Sequence, residues 1–120
     1  MHRRSICPLA NCLDLVGDKW TLIILRDMYL GKRRYAEFLE SDESITTNIL
    51  ASRLKEMLES GLIDKRAYQE KPVRYEYFLC QPGKKLLPVV QAMSLWAEEH
   101  VQGCRIPPKS FYKLKPNDLK

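Results

Sequence analysis

The sequence has no apolar run near the ~18–20 residues of a membrane span, so no spanning helix is expected. Met1 to Arg4 is basic, but no apolar segment of signal-peptide type follows it, which points to the cytosol. Only four cysteines are present, Cys7, Cys12, Cys80 and Cys104. None form a Cys-x-x-Cys pair, and His2 and His100 are not at ligand spacing from a cysteine pair, so no metal site is expected. Cys7 and Cys12 stand five apart, poorly aligned for a bond within one helix; in a reducing compartment they would be free thiols. There is no Gly-rich phosphate loop, no Gly-x-Ser-x-Gly and no constellation of acids or nucleophiles. Catalysis and a bound cofactor therefore have no support. Internal repeats are also lacking.

What is present is globular. Apolar residues make up 45% and charged residues 29%, and 120 residues suffice for one domain with little core to spare. The net charge is +5, but it sits at the ends. Arg3 and Arg4 at one end and the segment from Arg105 to Lys120 at the other carry the surplus. From Ser5 to Cys104 there are 13 basic and 14 acidic residues, a net of −1. Bulk charge therefore says little about partners; what counts is whether Lys32, Arg33, Arg34, Lys55, Lys71 and Arg74 share a face.

The most informative stretch runs from Ile45 to Leu79. Leu50, Leu54, Met57 and Leu58 recur at i, i+4, i+7 and i+8, one face of a helix. Thr46 is placed to cap it, Ile45 and Leu50 to form a hydrophobic staple, and Gly61 to end it. Its first turn holds no Asp or Glu, although the helix dipole favours them there. It offers Thr46, Thr47 and Asn48 instead, with Ser52 and Lys55 further on, which suits an anionic partner. An ordinary capped surface helix would share these features, but here a ribbon follows. Leu62 to Tyr68 and Arg74 to Leu79 read as strands around the turn Gln69 to Val73, with Lys71-Pro72 at the tip. A polar-tipped helix followed at once by a short ribbon is the layout of a winged helix-turn-helix.

Upstream, Pro8 suits the start of a helix through Leu9, Cys12, Leu13 and Val16. Asp18 can cap a second helix, apolar on nearly all sides, that ends at Gly31. Lys32-Arg33-Arg34 reads as a basic connector, either touching phosphate or simply solvated, before a short helix at Tyr35, Phe38 and Leu39. Downstream, Gly83 opens a helical pattern through Leu86, Val89, Val90, Met93, Trp96 and Ala97, with Pro88 expected to bend it or delay its start. Its apolar surface exceeds what one small core needs, and a symmetric dimer against the first helix would use the excess. Residues 1–104 are expected as one DNA-binding and dimerisation domain, and 105–120 as a basic tail, extended or partly mobile, with Pro107, Pro108 and Pro116.

These landmarks together resemble the HxlR-type family of bacterial winged-helix regulators over about Ile6 to His100. They are Cys7-Pro8; Gly17-Asp18-Lys19-Trp20; Gly31 with Arg34-Tyr35-Ala36-Glu37-Phe38; Arg53-Leu54-Lys55-Glu56-Met57 with Gly61-Leu62-Ile63; Pro72 with Arg74-Tyr75-Glu76-Tyr77; and Gly83 with Leu86-Leu87-Pro88 and Trp96. Cys80-Gln81 departs from the family's usual Thr and following polar or acidic residue, which puts the cap of the last helix in question. The resemblance implies a mainly α fold with a small β wing. It also implies a nucleoid-associated homodimer built from the first and last helices on a pseudo-palindromic operator in double-stranded DNA. Some members sense oxidants or electrophiles through the cysteine matching Cys7, and a helix start favours the thiolate; the alternative is a packed, inert thiol. The expected DNA-binding residues are Arg34, Thr46, Thr47, Asn48, Ser52, Arg53, Lys55, Lys71 and Arg74. The rival reading is a winged-helix module that binds protein, for which the net charge of −1 in the body is the best argument.

Overall fold

Asp18 sets where the central helix starts. In the computed structural model, which describes residues 3–120, its carboxylate accepts the backbone N–H of Trp20 and of Thr21, each at 2.9 Å, and the Thr21 hydroxyl. Partial burial opposes its charge, but the bonds from Thr21 and Trp20, with Arg53 nearby, hold the carboxyl below its ordinary range. Met1 and His2, used above in the leader and ligand-spacing arguments, lie outside the described residues.

Helix α1 (Pro8–Val16) leads to this cap, and α2 (Thr21–Tyr29) follows it. As its all-round apolar pattern implies, α2 runs through the core, with Ile24, Leu25, Met28 and Tyr29 buried. Gly31, at φ +106°, turns the chain out of it. The short α3 (Tyr35–Phe38) gives Phe38 to the core, and α4 (Thr47–Glu59) packs Leu50, Leu54 and Met57 beside it. Gly61 closes α4 in the left-handed conformation, at φ +79°.

Strands β1 (Ile63–Glu70) and β2 (Val73–Leu79) pair antiparallel from Ile63↔Leu79 to Glu70↔Val73, with a register shift between Ala67 and Gln69. The ribbon is longer than expected. Gln69, Glu70 and Val73 belong to the strands, and the turn is only Lys71-Pro72. The bulge at Tyr68 lets pairing continue where a loop was expected. The basic connector is also more ordered than its composition implied. The Tyr77 N–H donates to the Arg33 carbonyl at 2.8 Å, and Arg34 forms an antiparallel bridge with Glu76, adding a short third edge to the ribbon.

After β2, the expected single helix is two, α5 (Gln81–Lys85) and α6 (Leu87–His100). The break falls at Leu86, and Pro88 lies in the first turn of α6, where its missing N–H is harmless. Cys80 occupies the cap position of α5 without a side-chain bond; its backbone N–H goes to Leu62 O instead. Gly83 is required by contact. A Cβ there would stand 2.3 Å from the Leu62 carbonyl oxygen, and the Gly83 carbonyl accepts the Tyr29 hydroxyl at 2.6 Å.

The segment beyond Cys104 corrects the expectation of an extended tail. It forms α7 (Lys109–Lys113) and a 3-10 turn (Pro116–Asp118), and Phe111 is buried in the core. The Gln91 side chain on α6 donates to the carbonyls of Phe111 and Leu114 at 2.8 and 2.9 Å. Three prolines masked an apolar anchor: Phe111 with half-buried Tyr112, Leu114 and Leu119 covers surface the rest of the core leaves open. Among the described residues, every buried side-chain polar atom has a partner, and no helix is long and apolar enough to cross a membrane.

Candidate nucleic-acid interface

The start of α4 is braced from three directions. Thr46 Oγ1 accepts the Ile49 N–H at 3.3 Å, as a cap should. Ile45 and Leu50, both buried, are the two members of the expected staple. The Tyr35 hydroxyl of α3 donates to the Thr47 carbonyl at 2.7 Å. Thr46, Thr47, Asn48, Ser52 and Lys55 are all exposed, and the first turn carries no acid.

Among the described residues, Arg53 is the one of this α4 group that is ion-paired. Its Nη2 meets Glu56 at 2.9 Å, its Nη1 lies 3.8 Å from Asp18, and its side chain is mostly covered. It thus links α4 to the cap of α2. An open cleft of about 390 Å³ lies there, lined by Asp18, Trp20, Asn48, Ser52 and Arg53.

The turn leading into α4, from Glu40 to Ser44, is held by a side-chain network. The Arg26 guanidinium on α2 donates to both Glu43 oxygens, at 2.9 and 2.7 Å, and to Asp27 at 2.8 Å. The Ser41 hydroxyl also donates to Glu43, at 2.7 Å. The Arg26 bonds pull the Glu43 carboxyl down to about 2. Ser44, next in the chain, takes the left-handed conformation at φ +58°, which a β-carbon disfavours and which the bonded loop sustains. The available signal was Arg26 with Asp27, two adjacent charges in an otherwise mainly apolar helix.

The connector's cations are similarly engaged. Lys32 Nζ lies 3.8 Å from Asp27, and Arg33 Nη1 caps α2 by donating to the carbonyls of Met28 and Lys32. Arg34 Nε donates to Glu76 at 3.3 Å while its guanidinium lies over the Tyr68 ring, 3.8 Å from the centroid. The Glu37 carboxyl is held below its ordinary range by the backbone N–H groups of Arg33 and Arg34. Arg34 and Arg74 line one cleft of about 540 Å³ between α3 and the ribbon, with Tyr35, Tyr68, Tyr75 and Tyr77. Lys71 and Arg74 are exposed at and beside the ribbon tip. The expected residues therefore gather in three places: the α4 start, the α3–ribbon cleft and the tip. Lys55 lines neither cleft.

The model of the HxlR-like helix-turn-helix family matches residues 15–104. The HTH-type transcriptional regulator sll1512 of Synechocystis sp. is 33% identical over 105 residues, covering 84% of this chain and 78% of that protein. YdeP, an HTH-type transcriptional regulator of Bacillus subtilis, is 35% identical over 94 residues, covering 78% and 73%. Among solved structures, the redox regulator HypR in its oxidized form superposes with a TM-score of 0.70 at 35% identity, over 78% of this chain and 97% of that one. The reduced form of the transcriptional regulator YodB from B. subtilis gives 0.67 at 28% identity, over 84% and 100%. The architecture shared with these regulators is a winged helix-turn-helix, mostly helical with a two-stranded wing.

Proposed function

Because this chain belongs to the HxlR-like helix-turn-helix family of transcriptional regulators, we propose that it reads a pseudo-palindromic operator in double-stranded DNA as a homodimer. One observation carries the reading: α4 begins exposed, acid-free and braced by Thr46, Tyr35 and the Ile45–Leu50 staple. Such a start admits an anion and presents hydroxyls and an amide to base edges. Thr46, Thr47, Asn48 and Ser52 face the bases. Lys55, Lys71 and Arg74 meet phosphates, and Arg34 and Arg53 contribute from within their ion pairs. The outer faces of α1 and α6 join the two copies, holding the α4 starts about one turn of duplex apart.

The signal enters at Cys7. Its side chain is exposed at the start of α1, one of the helices assigned to the dimer, and HypR, a structural relative, is a redox regulator. Oxidation or alkylation there changes the packing of α1 and with it the spacing of the two α4 helices. A Cys7→Ser variant that still loses DNA on oxidant treatment would exclude this route.

The deciding experiment is a gel-shift titration over a range of salt, using genomic fragments as probes. A DNA reader shifts particular fragments and weakens steeply as salt rises. A module built to bind protein, the reading favoured by a body charge of −1, shifts none of them.

A further inference from the structure

The α3–ribbon cleft holds one of the assigned DNA contacts, Arg34, in a defined pose. Arg34 is held at two of its three sides. Its Nε is occupied by Glu76 at 3.3 Å, and its flat face rests on Tyr68, 3.8 Å from the ring centroid. Its terminal nitrogens, Nη1 and Nη2, make no hydrogen bond among the described residues. Both holding residues come from the ribbon. Tyr68 is the extra residue of the bulge, and Glu76 pairs with Arg34 across the strand edge. A guanidinium fixed at its inner nitrogen and one face, with its outer fork open, is arranged for a bidentate anion. The acid in the cleft lining, Glu37, accepts the backbone N–H groups of Arg33 and Arg34 through Oε1.

We propose that the cleft between α3 and the ribbon seats one phosphodiester of the DNA backbone on the outer nitrogens of Arg34, with Tyr68 and Glu76 as its positioning residues. This rests on the DNA-reading function. It ties the ribbon to the reading helix, because Tyr35 in the same cleft donates to the Thr47 carbonyl of α4. A phosphate contact fixes position and carries no sequence preference.

The test compares Tyr68→Ala, Tyr68→Phe, Glu76→Gln, Arg34→Lys and Arg34→Ala by duplex binding over a salt series. Thermal melts confirm that each variant is folded. Arg34→Ala is expected to weaken every duplex by about tenfold. The same change should reduce the slope of log K against log salt by about 0.9. Tyr68→Ala and Arg34→Lys follow it in affinity, since one frees the fork and the other removes it. Arg34→Lys keeps a charge and so keeps more of the slope. Tyr68→Phe, which preserves the ring, binds as the parent does. Glu76→Gln loses less than Tyr68→Ala. If the parent binds DNA and Tyr68→Ala or Arg34→Ala matches it in affinity and slope, the cleft assignment is overturned and the DNA reading survives. If the parent binds no duplex at any salt, the DNA reading falls and takes the cleft with it.

Discussion

The start of α4 and the outer faces of α1 and α6 are both exposed, yet they expose opposite chemistry. The first presents Thr47, Asn48, Ser52 and Lys55 on a braced backbone. The second presents Leu9, Leu13 and Leu15 on α1, and Met93, Leu95 and Trp96 on α6, with Trp96 61% exposed and Met93 55%. Helix α1 buries only Val16, and α6 only Leu87 and Val90. Water solvates the polar face without penalty. The apolar one costs about 25 cal/mol for each Å² it leaves wet. Under the proposed function each face has its own partner, a polyanion for one and a second copy for the other. The two demands are coupled, because whatever covers α1 and α6 also fixes how far apart two α4 starts can be.

The largest effect is expected from breaking the apolar side. Trp96→Glu puts a charge into the face assigned to the dimer, so sedimentation should report a monomer. Operator affinity should then fall by about 10²-fold or more, since two half-sites no longer act together. A dimeric Trp96→Glu that binds normally would place the subunit contact elsewhere. On the polar side, Asn48→Ala should lose about 1–3 kcal/mol at one operator position and little elsewhere. Competition among single-base operator variants measures this. A uniform loss over all variants would remove Asn48 from base reading.

How much of this was legible differs between the two faces as well. Periodicity exposed α4 and an all-round apolar run exposed α2, and Thr46, Gly61 and Asp18 marked their ends, because caps and left-handed turns depend on residues near in sequence. The DNA-face candidates could be listed for the same reason. What the sequence did not reveal depends on contacts distant in the chain. Arg26 reaches Glu43 across 17 positions, and Arg34 reaches Glu76 across 42. Nothing local marks Lys32-Arg33-Arg34 as a strand edge instead of a solvated connector. The C-terminal segment misled for a related reason: its prolines are local signals of extension, whereas Phe111 is anchored by Gln91, 20 positions away.

A smaller effect probes how the turn before α4 is held. Glu43 has a folded carboxyl pulled down to about 2 by Arg26, against 4.5 ordinarily. A depressed acid stabilises the fold above its unfolded value and loses that contribution as pH falls through the folded one, here between about 4.5 and about 2. The Glu43 side chain is 37% exposed, so solvent screening limits the contribution to about 1 kcal/mol. Glu43→Gln should lower stability by that amount at neutral pH and remove this part of the acid dependence, as followed by urea unfolding at stepped pH. An unchanged acid profile would show that the turn holds without the ion pair.

The smallest change expected is the most specific. Lys55 is exposed on α4, has no ion pair among the described residues and lines neither cleft. Removing it should therefore leave the fold within about 0.5 kcal/mol of its parent. If it meets a phosphate, Lys55→Ala weakens all sequences alike and lowers the salt slope by about 0.9, with base preference intact. That pattern differs from the one expected of Asn48, although the two residues share a helix, and it differs from loss of the dimer, which would lower affinity far more. An unchanged slope would take Lys55 off the DNA face and move the reading edge of α4 toward Thr47 and Asn48, with no bearing on what covers α1 and α6.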